Sequence, residues 1–156
     1  MSVKKFVATV IFLVLFSQTN VFSQYYGSAI GLRLGNASGI TGKIFLGGKT
    51  YLEGMLTTRW DGINITALAE FSQNMVDTPG LGWYYGFGAN IGFWKDRNEQ
   101  DNDTDLFVGV DAIVGMEYTF DSIPMNLSID WKPYINIITH PGFIADEFAL
   151  SVRYAF

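Results

Sequence analysis

The chain of 156 residues contains no cysteine. Disulfides, thiolate metal sites, a cysteine nucleophile and lipid attachment through an N-terminal cysteine are therefore excluded. Histidine occurs once, at His140, so any Ser-His hydrolase chemistry would have to use that side chain. Long apolar runs are missing too. Phe6 to Phe16 spans eleven residues, interrupted only by Thr9, whereas a membrane-spanning helix needs about 20. Basic residues are few, 10 Lys and Arg against 15 Asp and Glu. Such a balance argues against a nucleic-acid partner, because little remains to neutralise phosphate.

What is present begins with an export pattern. Lys4-Lys5 precedes the Phe6–Phe16 run, and Ser17 to Asn20 leads to Val21-Phe22-Ser23, a small-residue cleavage pattern followed by Gln24. Residues 1–23 thus read as a cleaved secretory signal peptide and 24–156 as a single β-barrel domain. Losing Lys4 and Lys5 leaves 8 basic against 15 acidic residues, a formal charge of −7.

Beyond the signal no helical i, i+3, i+4 spacing persists. The 17 glycines and 16% aromatic content indicate an all-β chain rich in turns. Period-two alternation predicts eight strands near 26–35, 39–47, 50–60, 62–72, 82–94, 106–119, 125–137 and 144–156. One parity is apolar, as in Ile30, Leu32 and Leu34, or Trp83, Tyr85, Phe87, Ala89, Ile91 and Phe93. The other collects charge and glycine: Arg33, Lys43, Glu53, Arg59, Glu70, Asp111, Glu117, Asp130, Lys132 and Arg153, with Gly31, Gly86, Gly88 and Gly109 among the glycines.

Alternation alone does not say which face points out, and a soluble lipocalin-like barrel would turn the apolar set inward. Trp60, Trp83, Trp131 and the many Phe and Tyr of that set are too bulky for an eight-strand interior, which side chains only just fill. The expected architecture is therefore an inverted, up-and-down transmembrane barrel, apolar outside and closed so that no backbone edge is left unpaired. The ten inward charges are five basic and five acidic, which implies mutual pairing in a narrow lumen. With a periplasmic N-terminus, Gly47–Lys49 and Asp121–Pro124 are periplasmic turns, and the 95–105 and 138–147 segments are extracellular loops. Residues 74–80 make a longer periplasmic connection than usual. Pro133, which cannot donate to a ladder, is expected at a bulge or near the membrane boundary.

No catalytic, cofactor-binding or metal site emerges. Asp101 to Asp105 copies the start of a calcium loop, but Leu106 stands where Gly is needed and Ala112 where the bidentate Glu belongs. A solvated loop is the simpler reading, with weak cation bridging to lipopolysaccharide phosphates as its rival. His140 has no serine close in sequence and lacks the single-strand His and Ser arrangement of lipid A deacylases. The Asn-x-Ser/Thr matches at Asn64 and Asn126 face the lumen by parity and are read as chance.

The last strand carries the outward set Phe148, Leu150, Val152, Tyr154 and Phe156. This terminal pattern resembles the assembly signal of outer-membrane barrels. With the size, strand number and export pattern, it makes the chain resemble the small OmpA/OmpX-type proteins of Gram-negative bacteria. Trp131-Lys132-Pro133 and Ser151-Val152-Arg153-Tyr154 are also similar to segments of short barrels of this class. The resemblance implies residence in the outer membrane among lipid and lipopolysaccharide, and assembly by the barrel-assembly machinery. It further implies a structural or surface role, such as adhesion or membrane integrity, with no cofactor. An extracellular ligand is left open, as are a lipid-modifying enzyme and a narrow ion channel. No peptidoglycan-binding domain is expected after Phe156.

Overall fold

The computed structural model describes residues 27–59, 61–95 and 104–156. The expected signal peptide, its cleavage point, Trp60, and Asp101 to Asp103 of the calcium-like stretch lie outside the described residues. The elements are β1 (Ser28–Gly35), β2 (Ser38–Gly47), β3 (Thr50–Arg59), β4 (Gly62–Asn74), β5 (Leu81–Lys95), β6 (Thr104–Thr119), β7 (Met125–Trp131), β8 (Tyr134–Asn136), β9 (Gly142–Ile144) and β10 (Phe148–Ala155).

From β1 to β7 each strand pairs antiparallel with its sequence neighbour, β8 pairs with β6 and β9, and β1 closes on β10 with Leu32 opposite Val152. β7 with β8 forms the seventh stave and β9 with β10 the eighth, giving a closed eight-stave, up-and-down barrel. Alternation explains the result directly. Each strand has one parity that packs in a narrow interior and one that does not, so only one sheet curvature buries all the charges at once.

Two staves are broken where continuous strands 125–137 and 144–156 were expected. Trp131 pairs with Phe148 and Tyr134 with Ile144, so Lys132 and Pro133 face three residues, Ala145 to Glu147. The extra residue is a bulge on the eighth stave. Pro133 sits at this break. It donates nothing, yet its carbonyl still accepts from the Ala112 N–H at 2.9 Å, and the Lys132 N–H reaches the Glu147 carbonyl at 2.9 Å. The indole N–H of Trp131 donates to the Ala145 carbonyl at 2.6 Å. Of the two positions expected for Pro133, the bulge is the one found.

The barrel is inverted. Leu32 is 57% exposed while its neighbour Arg33 is 0% exposed. Ile30, Leu46, Ile65, Phe87 and Ile129 also cover the outside, and the interior is mostly polar. The apolar interior clusters are small: Ala29, Tyr51 and Ala155 near the termini, and Met55, Leu68, Tyr84 and Ile113 higher up. On the outer face near the termini, Trp83 stacks on Tyr85 at 5.6 Å, and Tyr118 meets Phe120 edge-on at 4.8 Å. Inward glycines let staves approach closely. A Cβ on Gly31 would lie 1.9 Å from the Val152 carbonyl oxygen.

Candidate functional site: charged lumen and aromatic mouth

Inward parity on seven staves brings distant charges into two buried layers. In the layer nearer the termini, the Arg153 guanidinium lies 2.5 Å from Glu53, and Lys43 Nζ lies 2.7 Å from Glu70 and 3.7 Å from Glu117. Thr41 donates to Glu53, and Arg153 also donates to Ser128 at 2.7 Å. Ser72 and Asn126 donate to Glu117 at 3.0 and 3.2 Å. In the second layer Arg33 forms a two-pronged pair with Asp130, at 2.8 and 2.7 Å. Such fork-to-carboxylate geometry is the strongest form of this bond. Lys132 Nζ bridges Asp111 at 2.8 Å and Glu147 at 3.1 Å. Tyr84 joins the layers: its hydroxyl donates to Asp130 at 3.0 Å, and Lys43 sits 3.9 Å from its ring centre.

Of the ten charges assigned to the lumen by parity, nine lie in these two layers. Arg59 lies higher, at the rim, where its guanidinium meets the exposed Asp146 carboxylate at 2.6 Å. That hydrogen bond holds the Asp146 carboxyl below the usual aspartate range. The expected balance of five against five is not what the structure places inside. Glu147, 1% exposed, joins the second layer, so the buried set is four cations (Arg33, Lys43, Lys132, Arg153) against six carboxylates. Glu147 shares parity with Ala149, Ser151 and Arg153. Carrying that pattern one step past Phe148 would have found it, but a bulge beside it disguises the strand's start.

Of the terminal set, Phe148, Leu150 and Phe156 are exposed on the outer face and Val152 and Tyr154 half-buried there. Phe148 stacks on Trp131 at 6.3 Å, and Tyr154 lies 6.2 Å from Phe156. The backbone of Phe156 exchanges two hydrogen bonds with Ser28, each 2.8 Å.

Above the charged layers, at the end opposite the termini, the lumen opens into a recess of about 340 Å³ walled by Trp94, Phe107 and Tyr134, with Asp105, Asn136 and His140 at its polar edge. Thr139 also borders it, and among the described residues no serine does. Sequence reasoning did not anticipate this recess, which exists only because closure brings the ends of β5, β6 and β8 together. Among the described residues no group of three or more His, Asp or Glu is arranged to hold a metal ion.

This geometry defines a class: a closed eight-stranded barrel, apolar outside and filled with ion pairs. Among solved structures the chain is similar to the N-terminal β-barrel domain of Pseudomonas aeruginosa OprF, with TM-score 0.66 and 15% sequence identity, covering 84% of this chain and 98% of that one. At that identity the likeness shows a shared fold. No protein-family model and no curated protein matches the sequence.

Proposed function

We propose that the chain is an outer-membrane barrel whose lumen is closed by its own side chains, serving a structural or surface-interaction role in adhesion or envelope integrity. The observation that carries this reading is the pairing of an apolar outer face with two buried layers of ion pairs. Water would penalise an exterior bearing Leu32, Leu46, Phe87 and Ile129 side by side with other apolar residues. Lipid accepts it, provided every backbone group is paired, and closure meets that condition. The layers occupy the cross-section that an eight-strand barrel leaves for side chains. The 95–105 and 138–147 segments would be the parts that meet lipopolysaccharide or another cell's surface. Exported through residues 1–23, the chain would be folded by the barrel-assembly machinery, with the outward set ending at Phe156 as its signal.

A second reading, a narrow channel, is favoured by the four-to-six imbalance, because a net negative lumen would favour cations over anions. Planar-bilayer recording of the purified protein decides between them. Absence of steady unitary currents is the expected result. Steady cation-selective currents altered by Glu117→Gln would replace the closed barrel with the channel.

A further inference from the structure

We propose that the aromatic recess at the barrel mouth binds a small organic ammonium carrying an apolar or aromatic body. Two independent features of the recess converge on that chemistry. Trp94, Phe107 and Tyr134 supply an aromatic wall from three different staves, and ring faces attract cations as well as apolar groups. The barrel already uses this attraction internally: Lys43 Nζ lies 3.9 Å from the Tyr84 ring centre and Lys132 Nζ 4.9 Å from that of Tyr134.

The second feature is charge. Asp105 is half-buried at the edge of the recess and has no ion-pair partner among the described residues. Beneath it, the nearer charged layer holds Asp111, Asp130 and Glu147 against Arg33 and Lys132, a local excess of one negative charge. Low-dielectric walls focus such a field toward the opening. An anionic ligand would meet repulsion here, and a cation would meet attraction.

Asn136 also lines the recess and adds a polar side chain at its edge. The volume of about 340 Å³ lies at the lower end of the range for small-molecule pockets, which suits a single ring with a short aminoalkyl arm.

Benzylammonium is the probe. Titrated into the membrane-extracted protein in maltoside micelles at neutral pH, it should give saturable binding by calorimetry, with a Kd near or below about 1 mM. The Trp94 indole N–H resonance should shift along the same isotherm. Benzoate and benzyl alcohol should bind at least about tenfold more weakly. Asp105→Asn should weaken benzylammonium by about three- to tenfold and leave benzyl alcohol unchanged, whereas Phe107→Leu should weaken both. Far-UV dichroism shows that each variant retains the barrel. The proposal is overturned by any of three results: no saturation up to about 10 mM, benzoate binding as tightly, or Asp105→Asn without effect in the folded protein. Because the titration is run in detergent, its outcome is separate from whether the barrel resides in the outer membrane or conducts.

Discussion

Arg153→Ala removes the cation on which the layer nearer the termini depends. Arg153 is 1% exposed, and its guanidinium contacts Glu53 at 2.5 Å, Ser128 at 2.7 Å and Asn126 at 3.3 Å. After the change, Glu53, Glu70 and Glu117 share Lys43 alone, which lies 4.0 Å from Glu53. Breaking a buried pair from one side costs about 3–5 kcal/mol, because the surviving charge is stranded without water. Replacing both partners with neutral groups of similar volume, Glu53→Gln with Arg153→Met, should recover most of that loss, since neither charge then needs compensation. Urea unfolding in lipid vesicles, followed by tryptophan fluorescence, measures all three proteins. A single variant losing less than about 1 kcal/mol would mean that water reaches this layer. A double variant no more stable than the single would show that Arg153 acts through packing rather than charge.

Leu32→Arg places a cation on the outer face midway along β1 and should cost about 2–4 kcal/mol in vesicles, and much less in detergent micelles, as paired unfolding curves would show. Gly31→Ala should cost about 1–3 kcal/mol, because its Cβ would lie 1.9 Å from the Val152 oxygen. Gly54→Ala, whose Cβ meets nothing within 4 Å, is the control and should be near neutral in the same assay. Phe156→Ala should lower folded stability by no more than about 2 kcal/mol yet leave much of the protein unassembled in the periplasm. Normal outer-membrane yield on cell fractionation would refute its role as a signal.

How legible the fold was depends on how local each determinant is. Alternation is written in adjacent residues. The strands from Ile30 to Leu34 and from Trp83 to Phe93 could therefore be read directly, and the inward position of Arg33 or Glu117 followed from parity alone. The break at Pro133 was legible as a chemical conflict, a residue without an N–H inside a closed ladder. Where the extra residue would go was not, because a bulge is a relation between two staves. It fell at Ala145–Glu147 and hid Glu147. The lumen's charge ratio then differed from the count by parity, since Arg59 reaches upward to Asp146 and Glu147 turns inward. The recess lay furthest from the sequence. Trp94, Phe107 and Tyr134 are ordinary inward aromatics until closure places them around one opening.

A core of salt bridges is a poor source of stability in water, where hydrophobic replacements often do as well or better. In this barrel the outer face leaves the core less freedom. Each stave presents its apolar parity outward, so the inward parity must differ from it or the alternation that fixes register is lost. A one-residue slip would expose Arg33 or Lys43 on the apolar face and bury Leu32 or Ile44 in a charged lumen, a double penalty at every stave. The buried pairs therefore contribute register. Lys43 opposite Glu53 and Arg153 opposite Asn126 are cross-strand neighbours in the ladder itself, so an ion pair and a hydrogen bond inside the lumen also select the correct pairing. On this view charge-swapping Lys43 and Glu53 should preserve the fold even if stability falls, whereas exchanging Leu32 with Arg33 should abolish it. Circular dichroism of the two refolded variants compares these outcomes, and a folded Leu32/Arg33 exchange would remove alternation as the determinant of register.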